Sequence, residues 1–496
     1  MVQAMERISK AIRAPGARRA TERAAPTQLV VNVDSDENTA AATSSTNNTN
    51  AYMALNKSRR LDRWLDKVVE FSGSEWIFFT IIIALLAWAF LGIQFGQAND
   101  WQIAISDAQA VLNMIFDAFL MRQQLNSYDS LMFVSASLRS RTSSNKRMLA
   151  SLMESWHYEK PQPTLLQGLQ QTEFVCKLPA ENWLGRISTT VSSYLGHIAT
   201  VFSFWVCVLI WIGFGQDRHW STTWQLFMNS ASSAWMVFIL AFLANIRERH
   251  NKYTTKCLQY IYEVDTALEL RLRTATGDRI KNEIVVIPSP NRSGLQRVID
   301  YYADLVGTLL GIAILFFVMI VWVVIGPALS FDSNWWLLIG TYAGLVGMND
   351  GFILRNVQYI LGGYENAEFA QLMRDDKSML AVADIPQLDE ENVADDSLNY
   401  RISVMVGNLC SHEITVVLGV ILILGLIIGA SALRWSVTGQ LLCNVPPSII
   451  ESFFMMILIT GHNIGDAKKR VDLHNIYLRR LKLISFVNKM VKLEEQ

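Results

Sequence analysis

The sequence predicts an all-α polytopic membrane protein of about eight transmembrane helices, arranged as four two-helix repeats with both termini in the cytosol. Three observations predict it. The chain has 496 residues, 51% hydrophobic, with a mean hydropathy of +0.22 and 15 Trp, and its apolar residues fall in long runs between charged segments. A set of marks recurs in register along the chain. Lys and Arg crowd the long segments outside the paired runs and are nearly missing from the short loops within them, which places the long segments and termini inside.

The elements follow in order. Residues 1–58 are read as a disordered cytosolic tail, poor in bulky apolar residues and rich in Ser, Thr, Asn and Ala. The tail has no apolar core before Leu61, so it is no signal peptide. Repeat 1 occupies 59–132, with spans at Trp76–Phe95 and Trp101–Tyr128, and a cytosolic linker follows at 133–180. Repeat 2 (181–255) carries spans Ile198–Phe214 and Trp224–Ala244, before a linker at 256–294. Repeat 3 (295–372) carries Leu305–Val324 and Trp335–Leu354, before an acidic linker at 373–397. Repeat 4 (398–470) carries Ile414–Ala432 and Pro446–Thr460, and 471–496 is a basic C-terminal helix.

The second span of each pair is weakly hydrophobic and is identified through the repeat. With Gly73, Gly196, Gly307 and Ser411 as origin, Arg63, Arg186, Arg297 and Arg401 stand ten residues before. Trp88, Trp211, Trp322 and Leu426 stand fifteen after; Gly92, Gly215, Gly326 and Ala430 nineteen after. Trp101, Trp224 and Trp336 lie 28 or 29 after. The Trp reads as an interfacial residue and the small residue as relief for a tight turn. The Arg is a positive-inside anchor or a partner for lipid phosphate.

Polar side chains recur at two depths. The position after each origin is Ser74, His197, Thr308 and His412, flanked by Glu75 and Glu413, always an oxygen or nitrogen ligand type. The second spans carry Gln109, Asn113 and Asp117, four residues apart and so on one helix face; then Asn349, Asp350, Glu451 and His462. Carboxylate, imidazole and amide oxygen suit borderline divalent ions such as Fe(II), Zn(II), Mn(II) and Co(II). Their wide spacing suits weak, transient binding, which a permeation path needs. A mid-span carboxylate is costly without a function, which favours Asp117 and Asp350 for the path. Asn229, Ser230 and Ser233 read as packing glue between helices, and Asp107 as a residue of the outer interface. No Arg or Lys is expected at mid-depth, against an anion pore.

Other classes fall away. Net charge is −1, so nucleic acid is not a partner. The five cysteines form no CxxC pair, so neither a disulfide framework nor a zinc cluster is expected. His412-Glu413 begins an HExxH but lacks the second His. No Walker A, GxGxxG or GxSxG motif appears, so the chain is not read as an enzyme and no cofactor is expected. A transporter of another small solute, or a membrane scaffold or receptor, stays open as an alternative on these residues alone.

The segments Asp107–Met132 (DAQAVLNMIFDAFLMRQQLNSYDSLM), Asn182–Trp205 and Ile459–Asp466 (ITGHNIGD) resemble the fungal low-affinity iron permeases, with the likeness running over about 61–490. The resemblance implies a plasma-membrane permease for Fe(II) of low affinity and broad selectivity, also passing Zn(II) and Cu. It implies lipid and the transported cation as partners and leaves a homo-oligomer open.

Overall fold

The computed structural model describes residues 20–28, 57, 59–96, 98–155, 178, 181–386, 390–391 and 398–494. Among them the helices follow the order short, apolar, long, four times over. These are α1 (Arg60–Ser72), α2 (Glu75–Phe95) and α3 (Asn99–Ser155), then α4 (Trp183–Leu195), α5 (Ile198–Gly213) and α6 (Thr222–Thr276). Next come α7 (Gly294–Val306), α8 (Leu309–Ile325) and α9 (Ser333–Val382). Last are α10 (Leu398–Ser411), α11 (Glu413–Ala432), the short α12 (Val437–Leu442) and α13 (Val445–Glu494). Six helices are long and apolar enough to cross a membrane, or eight if α4–α5 and α7–α8, bent by 53° and 66°, each count as one span.

The long helices form the core. α3 and α6 contain no Gly or Pro, so nothing interrupts their hydrogen-bond ladders. Each long helix packs against two others in the cyclic order α3, α6, α13, α9. The apolar helices lie outside this ring: α2 and α8 bury no residue at all. Phe90, Phe202, Phe317 and Ile421 stand exposed, as lipid-facing residues do.

At 57 residues α3 is about 85 Å long, against a hydrocarbon layer of about 30 Å. The carboxyl-terminal halves of the four long helices therefore stand clear of the bilayer. They run on through parts of the segments 133–180, 256–294 and 373–397, expected as linkers. This outer bundle packs Leu138, Ile261, Leu372 and Ile484 around a buried ionic layer. Arg141 donates to Glu269 (2.8 Å), Arg273 to the other Glu269 oxygen (2.9 Å), and Arg480 to Asp376 (2.7 Å) and Asp265.

Part of the stretch expected as a disordered tail is ordered. β1 (Thr21–Arg23) pairs antiparallel with β2 (Val285–Ile287). The backbone continues onto the bundle: Ala25 N donates to Ser140 Oγ (3.0 Å) and Gln28 N to Glu269 Oε1 (3.2 Å). Low hydrophobicity does not exclude order here, because main-chain donors meet buried acceptors. The rest of the 1–58 tail, apart from Lys57, lies outside the described residues.

The recurring Trp residues form clamps between an apolar helix and the long helix after it. Trp88 stacks on Trp101 (centroids 4.2 Å apart), Trp211 on Trp224 (3.7 Å) and Trp322 on Trp335 (4.5 Å), all within 5° of parallel. In the first and third pairs each indole N–H donates to the other residue's carbonyl, at 2.8–3.2 Å. The third partner is thus Trp335 and not the expected Trp336. Trp335 lies 28 residues after Gly307, the same spacing as in the other two copies. Gly92 is small because a side chain there would run into the Trp101 ring.

Candidate metal path

The inward stripe of α3 lies within the ring of long helices. Gln109, Asn113 and Asp117 are each at most 1% exposed. Gln109 Oε1 accepts from Ser233 on α6 (3.5 Å). One turn on, Asn113 Nδ2 donates to Glu451 Oε2 on α13 (2.9 Å), which spans the ring diagonally. The Asp117 carboxyl meets the same Glu451 side chain. Asp350 on α9 lies within electrostatic reach of both acids and accepts from the Tyr302 hydroxyl (2.7 Å), which Asn349 also bonds. Gly347 makes the room: a Cβ there would strike the Asn113 amide and lie 2.6 Å from both Glu451 oxygens.

The cluster is short of partners. Asp117, Asp350 and Glu451 are at most 3% exposed. Both Asp117 oxygens, Glu451 Oε1 and Asn113 Oδ1 have no hydrogen-bond donor, and among the described residues no Lys or Arg pairs with any of the three acids. Buried carboxylates without donors require a cation or protons. No group of three His, Cys, Asp or Glu side chains among the described residues is drawn together as a ready metal cage. The ligand types therefore surround the axis without closing on one point.

Beyond Asp117 the axis changes sign and then chemistry. Arg247, buried on α6, donates from Nη1 to Leu120 O (3.5 Å), while its Nε and Nη2 are unpartnered. It borders a cavity of about 110 Å³ lined by all four long helices. In this cavity His250 Nδ1 and His462 Nε2 are 2.9 Å apart, one of them carrying the shared proton, and His250 Nδ1 is 3.3 Å from Asp466 Oδ1. Arg122, Arg247 and Arg355 are all buried, 20 to 23 residues after the Trp that opens each second span and so toward its far end, away from mid-depth. Arg122 is held by Asp66 and the Gly307 carbonyl, and Arg355 by Gln358 and the Gly407 carbonyl.

The structure brings Gln109, Asn113, Asp117, Asn349, Asp350 and Glu451 together and places His462 farther along the same axis. It does not bring in the column at the start of the apolar helices. Those side chains sit at helix amino termini, where the first N–H groups lack partners. His197 Nδ1 accepts from Ala199 N (3.1 Å) and His412 Nδ1 from Ile414 N (3.2 Å), and both rings are exposed. Ser74 caps in the same way, while Thr308 at the matching place makes no cap bond and donates to Leu305 O (2.8 Å), so in three of the four copies the recurring polar side chain serves as a cap. Glu75 pairs with Arg249 (3.4 Å) and Glu413 accepts from Ser293 (2.7 Å), both off the axis. Tyr302, Arg247 and His250 escaped the sequence reading. Arg247 shares an Arg-x3-Asn-x-Tyr spacing with Arg122 (Asn126 and Tyr128 against Asn251 and Tyr253), and His250 and Tyr302 carry no recurring signal.

An acidic, unpaired axis inside four long helices jacketed by lipid-facing ones defines a multi-pass helical membrane protein built around a polar core. A family model for the low affinity iron permeases matches residues 184–306 and 399–496. The chain is 34% identical to the low-affinity iron/zinc ion transport protein of Schizosaccharomyces pombe, over 97% of this chain and 85% of that one. It is 33% identical to the low-affinity Fe(2+) transport protein of Saccharomyces cerevisiae, over 86% and 83%. The chain therefore belongs to the low-affinity iron permease family and is a transport protein, not an enzyme. No solved structure matches it.

Proposed function

We propose that this chain is a low-affinity permease that carries Fe(II), with Zn(II), Mn(II) and Cu as further cargo, across the plasma membrane into the cytosol. The observation that carries the reading is the central trio Asp117, Asp350 and Glu451, delivered by three helices, buried, and unpaired by any Lys or Arg among the described residues. Two relatives named for iron or iron and zinc transport support the choice of cargo. Amide and carboxylate oxygens that surround the axis without caging it suit an ion that must also leave. Gln109 and Asn113 stand on one side of the trio and His462 on the other, which suits a file of weak stations. His197, His412, Glu75 and Glu413 play no part in this path.

The topology proposed is eight spans in four repeats, with each short amphipathic helix lying at the cytosolic face and both termini cytosolic by the positive-inside rule. Voltage supplies the driving force without a cofactor: a divalent ion moving inward through about 100 mV gains about 4–5 kcal/mol. Uptake in cells lacking high-affinity iron import tests the reading. Glu451→Gln and Asp350→Asn lose Fe(II) uptake at equal surface abundance, while His412→Asn keeps it; parent-like uptake by both acid variants refutes the path.

A further inference from the structure

We propose that the transported cation leaves the axial cavity sideways, through the window between α3 and α6, and not along the bundle axis or between α9 and α13. The inference rests on the permease reading above and adds the exit route. Past His250 and His462 the axis is filled. Leu131, Ile261, Leu372 and Tyr477, one from each long helix, are at most 4% exposed, and the buried Arg480–Asp265 layer closes the bundle behind them. A hydrated divalent ion has no room to continue in that direction.

Among the described residues a window of about 420 Å³ shares Gln123, Ser127 and Asn251 with the axial cavity and opens between α3 and α6. A second, of about 610 Å³, shares Gln358, Gly362, Asn366, Gly461 and Gly465 with it and opens between α9, α10 and α13. Their charges differ. The α3–α6 window is lined by four carboxylates, Asp66, Glu70, Asp129 and Glu248, against three lysines. The α9–α13 window carries Arg355 and Lys468 and no carboxylate. The α3–α6 window is thus net negative by one charge and the α9–α13 window net positive by two, so the field favours a cation at the first and opposes it at the second.

Two side-chain contacts cross the neck between the axial cavity and the α3–α6 window, and in one of them Ser127 Oγ donates to Asn251 Oδ1 (3.3 Å). In the other, Gln123 Nε2 on α3 donates to Glu248 Oε2 on α6 (2.9 Å). The other Glu248 oxygen is 3.4 Å from Lys252 Nζ, which also holds Glu70 (3.1 Å). Glu248 is thus a carboxylate at the threshold, tethered to a mobile ammonium that an arriving divalent ion displaces. Lys252 is more than half exposed and free to swing out.

Substituted-cysteine block tests the route in proteoliposomes. Ser130→Cys places a thiol in the α3–α6 window and Asn408→Cys one in the α9–α13 window. Each is treated with a positively charged methanethiosulfonate reagent from the face bearing these windows, with the parent treated in parallel and labelling checked by intact mass. Zn(II) flux falls about tenfold in labelled Ser130→Cys, because a fixed cation cancels the local field, and holds in labelled Asn408→Cys. Block at Asn408→Cys alone, or at neither site once labelled, overturns the route. A parent without Zn(II) flux overturns the permease reading instead.

Discussion

Asp117→Asn removes one charge of the central trio without changing side-chain volume, and its effect follows from the geometry. At about 4 Å and an effective dielectric of about 20, two unit charges interact by about 4 kcal/mol, so a divalent ion gains about twice that from one carboxylate. The same scale sets the lost attraction at about 8 kcal/mol as an upper bound, and even half of it, about 4 kcal/mol, is roughly three decades of occupancy at cation levels below saturation. The assay is initial Fe(II) or Zn(II) entry into proteoliposomes across a range of cation concentration, at matched protein. The Michaelis constant rises at least about a hundredfold for Asp117→Asn, allowing for partial compensation by Asp350 and Glu451. Saturation at the parent's concentration refutes the role of the trio.

Three further outcomes follow from the structure. Gly347→Ala puts a methyl against Asn113 and Glu451 and lowers flux sharply, whereas Gly363→Ala, with nothing near its added carbon, leaves flux at the parent level; equal effects refute the packing of the cluster. Trp335→Ala loses a stacked ring and the indole hydrogen bond to Trp322 O and costs about 3 kcal/mol or more, read as a large fall in melting temperature in detergent, while Trp336→Ala costs far less. The hydrogen bond and charge of Lys377, and then the Arg479 guanidinium, hold the Glu390 carboxyl below its ordinary 4.5 against partial burial. That depressed value contributes stability above the ordinary glutamate range and loses it as pH falls through the folded value. Rate-corrected exchange of the Glu391 amide, which donates to Asn475 (3.2 Å), therefore quickens as pH falls below the ordinary glutamate range and is flat above it.

What was legible in the sequence is what repeats or alternates. The helical class and the inward stripe at Gln109, Asn113 and Asp117 followed from periodicity, and the structure buries all three at most 1% exposed. The column His197 and His412 also repeats, but repetition there reports a backbone requirement at helix starts, which a ligand type and a cap type satisfy with the same residues. The third Trp mark belongs to Trp335, which the strict 28-residue spacing of the other two copies already singles out from its neighbour Trp336. The diagonal contact from Asn113 to Glu451, 338 residues apart, could not be read from spacing, since only the cyclic packing of four helices joins them. Arg141 and Asp265 fall in segments expected as cytosolic linkers and Arg480 in the basic C-terminal helix, and their burial became visible only once the long helices extended through those segments and packed together.

The most direct test is voltage-driven Fe(II) entry into proteoliposomes holding only the purified chain, with an impermeant chelating dye inside. An interior-negative potential drives Fe(II) inward in the parent, and the double variant Asp117→Asn, Glu451→Gln abolishes that flux while remaining folded and monodisperse. Absence of flux from the folded parent, or undiminished flux through the double variant, contradicts an acidic axial path for divalent metal.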